Sequence, residues 1–438
     1  MRLKPLGQAA LLFSSRLLVR FTALLTLLVV ARALDSHEFG FYAYSALVAL
    51  FLSSVGHLGM RQAGARSLGQ KAASRAQVEQ ASLISWLLSS LASVAVATLL
   101  LWHYGDISTV SKALAIGTTL PMLFVNIYQG MNLGEGKVEQ LAWADLIGRI
   151  IPLALIAPMA LLGDATLEFA LGATLGGQVA AALYVGWTLR LGAAGRVPLE
   201  LGGFWRLQRT GMSYILPYSL YMGNGLLVAH LVNTLSSLAD AGRYFGVSKL
   251  CEIFSEIAVA VGTTLFSQGV RESGRAEDLA SALGMIRFSV FLFICISVVL
   301  AVGAEPVVHL MLGSNFLPAV DALRILMIGA PFGALLRMLQ MYLASQGQPL
   351  AGTAVLGPSI VVQGLLCWLL IPEYGLMGAA AATVVVQAAG AVGILILFCK
   401  RFKASPIDVL LVRPRELWSI VRNLSLKILR RQRKLHVA

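Results

Sequence analysis

Charge is scarce in this chain. Only 13% of its 438 residues are Asp, Glu, Lys or Arg, about half the share usual in soluble domains, while 58% are hydrophobic. So little polar material does not cover a water-facing surface, which excludes an ordinary soluble globule and leaves lipid as the solvent around much of the protein. Cysteine is scarce too. Cys251, Cys295, Cys367 and Cys399 all fall in apolar stretches without metal-ligand spacing, so they read as small hydrophobes, and neither a disulfide framework nor a metal is expected. Catalytic signatures are missing. There is no phosphate-cradling GxxxxGK loop, and the longest outside loop, near 304–318, is too short to house the chemistry of a glycosyl polymerase or transferase. The chain is expected not to be an enzyme and to need no cofactor.

Long apolar runs are what the sequence has instead. A hydrocarbon core about 30 Å thick needs about 20 helical residues at about 1.5 Å each. Windows of that length lie near 8–32, 39–60, 82–102, 113–131, 141–162, 168–189, 210–232, 244–267, 284–303, 319–344, 350–371 and 376–399. The fold class expected is all-α and polytopic, with about twelve transmembrane helices. Pro121, Pro152, Pro217, Pro331 and Pro358 fall inside the windows as kinks that neighbouring helices must accommodate. Ala31-Arg32-Ala33 has the small residues of a cleavage site, yet Arg16 and Arg20 interrupt what would be a signal's apolar region. The first window therefore reads as an uncleaved span.

Cations in the short loops orient the chain. With the N-terminus inside, the inner face holds Arg2, Lys4, Arg61, Arg66, Lys71, Arg75, Lys137, Arg190, Arg196, Arg206, Arg209, Arg271, Arg275 and a basic tail, whereas the outer loops hold Arg32, Lys112 and Arg243. An even span count and the charge bias agree, so both termini are expected in the cytoplasm. The chain also looks duplicated: Gly40-Phe41-Tyr42 opens the second window and Gly242-Arg243-Tyr244 the eighth. An offset of six spans makes the halves parallel, related by an axis along the membrane normal. The expected organisation is a first lobe of spans 1–6 (1–195), a basic cytoplasmic linker (196–209), a second lobe of spans 7–12 (210–400) and a basic tail (401–438). In the tail Leu417, Ile420, Val421, Leu424 and Ile428 recur at helical spacing opposite Arg415, Arg422, Arg430 and Arg433. This is either an interfacial amphipathic helix on anionic lipid or a disordered basic segment. The net charge of +13 comes largely from this tail and is read as membrane contact rather than nucleic-acid binding.

Ionisable groups inside spans cost at least about 2.5–3.5 kcal/mol each, so their positions are informative. Arg16 and Arg20 stand one turn apart on the first span, either snorkelling to headgroups or facing a passage. Asp145 and Arg149 form an i, i+4 pair on the fifth. Lys249, Glu252 and Glu256 share one face of the eighth, where local pairing leaves a carboxylate over for a proton or cation. Asp321 and Arg324 are spaced to pair, while Arg337 has no acid within four positions. Bases at membrane depth outnumber acids, which suits an anionic ligand better than a cationic one. Asn126, Asn224, His230 and Gln363 are polar candidates. Tyr214, Tyr218 and Tyr221 stripe the seventh span, as packing or as a sugar-contacting surface.

Three stretches carry a family resemblance. The segment Ala31–Tyr44 (ARALDSHEFGFYAY), the segment Met311–Phe316 (MLGSNF) with Ala319–Leu326 after it, and Ile371–Thr383 (IPEYGLMGAAAAT) resemble the O-antigen and polysaccharide flippases of the multidrug/oligosaccharidyl-lipid/polysaccharide exporter (MOP) superfamily. The resemblance implies two six-helix lobes around a central cavity that rock between inward-open and outward-open states. It implies an undecaprenyl-diphosphate-linked oligosaccharide moved from the cytoplasmic to the periplasmic leaflet of a bacterial inner membrane. On that reading Arg16, Arg20, Arg149 and Arg337, with Asn126, Asn224, Tyr218 and Tyr221, are the substrate-binding candidates. Glu252, Glu256 and Asp145 are the candidates for proton or sodium coupling. Membrane lipids are partners, and a polysaccharide polymerase and glycosyltransferases are candidate partners. Three rivals stand beside it, the first a peptidoglycan-precursor flippase, which usually adds two further spans beyond the twelve windows of this chain. A multidrug/cation exchanger of the same superfamily wants a buried carboxylate in the first lobe, where the first span carries Arg16 and Arg20. A non-transporting scaffold for glycan-assembly enzymes leaves the duplicated spans unexplained.

Overall fold

The computed structural model describes residues 5–192, 198, 201–271, 276–346 and 350–411, and all regular structure among them is helical. In chain order the helices are α1 (Pro5–Ala33), α2 (Ser36–Val55), α3 (Met60–Gly69), α4 (Arg75–Leu101), α5 (Thr109–Gly134), α6 (Val138–Leu162), α7 (Leu167–Leu189), α8 (Leu201–Leu235), α9 (Leu238–Arg271), α10 (Ala276–Val302), α11 (Ala304–Met311), α12 (Val320–Ser345), α13 (Leu350–Phe402) and α14 (Pro406–Leu410), with a 3-10 segment at Ser314–Ala319. Each apolar window falls on one of these. The last two share α13, which turns at Gly375 with φ 53 and ψ −127, a corner that a Cβ would forbid. Eight stretches among the described residues are long and apolar enough to cross a membrane, and the chain is a multi-pass membrane protein. Its outward-facing residues are apolar: Leu161 is 89% exposed and Val302 79%, an arrangement stable only against lipid.

Local chemistry starts the helices where the windows begin. Asp35 takes the N–H groups of His37 and Glu38, both at 2.8 Å, at the head of α2. Ser74 and Gln77 close a capping box on α4, and Ser108 and Thr166 cap α5 and α7. These satisfy donors that a bilayer cannot. One difference from the sequence reading lies in the connector: residues 201–209 are already the first turns of α8. There Phe204 and Gln208 are buried, and the Gln208 amide donates to the Leu58 carbonyl at 2.8 Å. Arg206 and Arg209 depress the local hydropathy and hide this helical start.

A proline inside a span needs a neighbour, and α6 shows how it is supplied. Pro152 has no N–H to give to the Gly148 carbonyl one turn earlier. The Gln178 amide on α7 donates to that carbonyl at 3.0 Å in a buried setting. Gly177 lies against the proline ring, where a Cβ would come within 2.6 Å of Cδ. Gln178→Leu therefore strands a buried acceptor and is expected to cost about 1–3 kcal/mol. A thermal-unfolding series in detergent checks this; wild-type stability in Gln178→Leu would refute the assignment.

By backbone contact the chain divides into two compact units. The first is Met1–Gly246 with Val308–Pro318 and Ile371–Leu376; the second is Val247–Val307, Ala319–Leu370 and Met377–Ala438. The first unit packs Met60, Val78, Leu123, Tyr128, Met131 and Val185 into one core, with α6 lying against both α1 and α7. The core of the second includes Phe293, Met338, Leu339 and Phe398, and Tyr342, Phe398 and Phe402 meet there with ring centroids 4.8–5.7 Å apart.

Within the first unit two helix crossings are closed by facing glycines. A Cβ on Gly40 would lie 2.1 Å from the Leu238 carbonyl oxygen, and one on Gly242 would lie 2.6 Å from the Gly40 Cα. The glycines that mark the internal repeat thus touch each other. Near the other end of α2, a Cβ on Gly59 would lie 2.0 Å from the Gly211 carbonyl oxygen, and Gly59 holds φ +80.

The three cations expected outside are each tied down. Arg32 donates to the Leu310 carbonyl at the end of α11. Arg243 bonds Asp240 at 3.0 Å and the Asn315 carbonyl at 3.2 Å. Lys112 is buried over the Trp102 ring at 5.7 Å. Held by carbonyls, a carboxylate or a ring face, each of these cations is compensated where it stands.

Candidate functional site

Two groups of polar side chains stand out in the first unit. The lower cluster is centred on α6. Arg149 is eleven residues into this helix, about 16 Å along it, near the middle of a span. One turn before it, Asp145 Oδ1 accepts a hydrogen bond from Gln129 Nε2 of α5 at 2.7 Å. Gln129 is itself buried. The hydroxyl of Tyr42 on α2 meets Thr174 Oγ1 on α7 at 3.2 Å. Polar side chains of α2, α5, α6 and α7 thus pair across helices in this part of the unit, Gln129 with Asp145 and Tyr42 with Thr174. Chemically, the cluster offers one cation on α6, one turn from a carboxylate that Gln129 orients. An anionic group arriving there would meet the half-buried Arg149 guanidinium one turn from the Asp145–Gln129 pair, where a charge-assisted contact to phosphate or carboxylate can form.

The upper cluster joins α2, α8 and the α4–α5 loop. Tyr44 and His230 stack with centroids 6.1 Å apart, and the Tyr44 hydroxyl pairs with His230 Nδ1 at 2.7 Å. Asn233 of α8 donates to the Tyr104 hydroxyl. Burial, and then the nearby Asp106 carboxylate, push the Tyr104 hydroxyl up to about 12. Tyr104 therefore stays a neutral hydrogen-bonding group through the physiological range. Phe41 and Tyr44 each meet its ring edge-on, at 5.8 and 6.3 Å.

In the second unit Arg337 of α12 is half-buried between the core residues Leu335 and Met338. Arg287 of α10 is only 4% exposed. Both take part in interactions with their surroundings. Lys249 and Glu252 pair at 2.6 Å, and Asp321 and Arg324 pair at 2.7 Å, as their spacing suggests. Fully buried Gln363 contacts Cys367 Sγ and Thr383 Oγ1, both at 3.3 Å.

Of the candidates read from the sequence, Asp145 and Arg149 enter the lower cluster. Arg20 is exposed on α1, and Asn126 is half-buried on α5. Asn224 on α8 has a buried Oδ1 without a hydrogen-bond partner among the described residues. The side chains of Arg16, Tyr214, Tyr218, Tyr221 and Glu256 lie outside the described residues, as does the tail from 412 onward. Gln129, Tyr42 and Thr174 were not singled out by sequence reading. A signal existed for two of them: Gln129 interrupts an apolar window, and Tyr42 belongs to the repeated Gly-Phe-Tyr element.

The sequence profile of the polysaccharide biosynthesis protein family matches residues 29–321, more than half of the chain. The chain belongs to this family. No curated protein matches it by sequence. Solved structures of MOP superfamily transporters share its fold. The lipid II flippase MurJ in an inward closed conformation is 15% identical, with 91% of this chain and 89% of that one covered at a TM-score of 0.74. An inward-facing multidrug resistance transporter of the MATE family is 15% identical, covering 88% and 94% at 0.70. A MOP superfamily transporter from Pyrococcus furiosus is 15% identical, covering 90% and 93% at 0.58. For this polysaccharide biosynthesis protein, the family read from three short motifs and the all-helical membrane fold read from the apolar windows are borne out.

Proposed function

We propose that this polysaccharide biosynthesis protein is a flippase for an undecaprenyl-diphosphate-linked oligosaccharide, carried from the cytoplasmic to the periplasmic leaflet of a bacterial inner membrane. The observation that carries this reading is Arg149, a guanidinium near the middle of a span, one turn from the Asp145–Gln129 pair. Family membership and a fold shared with a lipid II flippase support it. A diphosphate does not enter hydrocarbon uncompensated. Arginine offers a planar fork of donors that matches phosphate oxygens and stays charged at any physiological pH. In the proposed cycle, guanidinium groups lining a water-accessible passage hold the diphosphate and any acidic sugars while the polyprenyl tail stays in lipid. Alternating access then moves the head across, with both termini in the cytoplasm and no covalent chemistry or cofactor involved. Asp145 is the proposed coupling carboxylate, since Gln129 fixes its orientation through one oxygen.

That same carboxylate favours a second reading, a cation-coupled multidrug exchanger, whose fold is also shared. Reconstitution separates the two. Proteoliposomes loaded with a fluorescent undecaprenyl-diphosphate oligosaccharide are expected to move the head group between leaflets, read by accessibility to a membrane-impermeant quencher. Movement of an organic cation driven by a proton or sodium gradient, with no movement of the lipid-linked glycan, would overturn the flippase reading.

A further inference from the structure

A cavity of about 430 Å³ opens near the ends of α6 and α7, lined by Glu139, Gln140, Trp143, Tyr184, Trp187 and Arg190 among others. Its volume lies in the range of about 300–1,000 Å³ usual for small-molecule sites. All these residues fall within two turns of the start of α6 or the end of α7, so the deepest is roughly 8 Å from a helix end. The cavity therefore sits at the end of a span, near the boundary between headgroups and acyl chains. Trp143 is 50% exposed and Trp187 76%, as expected of rings at a membrane interface.

The charges of this cavity are arranged unusually. Glu139 and Arg190 both line it, yet among the described residues they form no ion pair with each other or with any other group. They stand across the space rather than neutralising one another. Between the two helices' polar ends, the Gln140 Oε1 is buried and has no hydrogen-bond donor. The cavity thus offers two acceptors on the α6 side, one cation on the α7 side, and indole rings facing lipid.

We propose that this cavity is a binding site for a zwitterionic phospholipid with a primary ammonium head, such as phosphatidylethanolamine. The ammonium has three N–H donors, enough for the Glu139 carboxylate and the orphaned Gln140 oxygen together. The phosphate meets Arg190, and the acyl chains lie along the exposed faces of Trp143, Trp187 and Leu183. A choline head has no N–H to offer Gln140, and a glycerol head has no cation for Glu139, so the lining discriminates by headgroup. Arg190 is held for this role at the end of α7 in a left-handed conformation, φ 48. Arg75 bonds the neighbouring Leu189 carbonyl, and buried Glu79 accepts the Gly192 N–H at 2.6 Å. The site does not depend on the identity of the transported cargo.

Native mass spectrometry tests it on the full chain, purified in detergent and given dioleoyl phosphatidylethanolamine, phosphatidylcholine and phosphatidylglycerol in equal amounts. The ethanolamine lipid should be retained in preference to both others, by about tenfold if one charge-assisted contact decides the outcome. Glu139→Gln with Gln140→Leu should bring ethanolamine and choline lipids to parity. Arg190→Asn, which tolerates the left-handed backbone, should weaken retention of all three. Brominated phosphatidylethanolamine should quench Trp143 and Trp187 fluorescence more than brominated phosphatidylcholine does, a readout independent of variant folding. Equal retention of the three lipids, preference for phosphatidylglycerol, or an unchanged ethanolamine-to-choline ratio in the double variant would each overturn the proposal.

Discussion

Gly40→Ala is expected to slow translocation about 5- to 150-fold and to destabilise the purified protein by about 1–3 kcal/mol. The added methyl would sit 2.1 Å from the Leu238 carbonyl oxygen and 2.8 Å from its carbon. Both atoms are backbone, so no side-chain rotation relieves the overlap; α2 and the start of α9 must move apart. Every conformation that uses this crossing then loses population relative to those that do not. Gly59→Ala should do at least as much, because it adds the strain of a left-handed backbone to a Cβ-to-carbonyl-oxygen separation of only 2.0 Å. Gly225→Ala on α8 is the control, since nothing lies within 4 Å of the added atom. Thermal unfolding and leaflet-exchange rates of the three variants decide the matter. If Gly40→Ala behaves like Gly225→Ala, the crossing is not a close backbone contact in the membrane.

Loss of the Arg149 guanidinium should be as severe, but through the cargo rather than the fold. A hydrogen bond to a charged group is worth about 1.5–3 kcal/mol, so Arg149→Ala is expected to lower glycan export about 10- to 150-fold. Arg149→Lys keeps the charge and loses the fork, and should fall between the two. Arg337→Ala and Arg16→Ala are expected to act in the same direction, with membrane insertion intact. Arg324→Ala removes only an exposed partner of Asp321 and should leave export unchanged. Export is read by complementation of a deletion strain and insertion by membrane fractionation. Full complementation by Arg149→Ala and Arg337→Ala would remove the cationic passage from the mechanism.

The lipid cavity and the glycan pathway make separate demands on the chain. Arg149 is proposed to hold a diphosphate near mid-span, whereas Arg190 and Glu139 stand at the end of a span. Substitutions at one place should leave the other's readout unaffected. This separation lets export and lipid retention be scored independently on the same purified variants.

Much of the fold was legible in the sequence because its cause is local. A bilayer of fixed thickness demands apolar runs of fixed length, and those runs stand in the chain without reference to any neighbour. The kink prolines and the glycine of the IPEYG motif act through their own backbone chemistry, so they too are visible there, as Gly375 shows. The Asp321–Arg324 and Lys249–Glu252 pairs follow from one-turn spacing on a single helix. The start of α8 was less legible, since Arg206 and Arg209 mask a helix that buries Phe204 and Gln208.

What tertiary structure alone decided is which distant groups meet. Spacing within one helix says nothing of the Gln129–Asp145 bond, of Tyr44 against His230, or of Gln178 reaching the carbonyl that Pro152 leaves open. Each joins residues brought together only when helices pack, and in lipid a polar group has no water to satisfy it until such a neighbour arrives. The two glycines of the repeat were visible as a pattern, but their contact was not: close approach of two backbones is a property of the packed pair. The sequence by itself determined that this is a multi-pass helical membrane protein. Packing decided which of its buried polar groups stand together, because in a bilayer those groups are stabilised by one another.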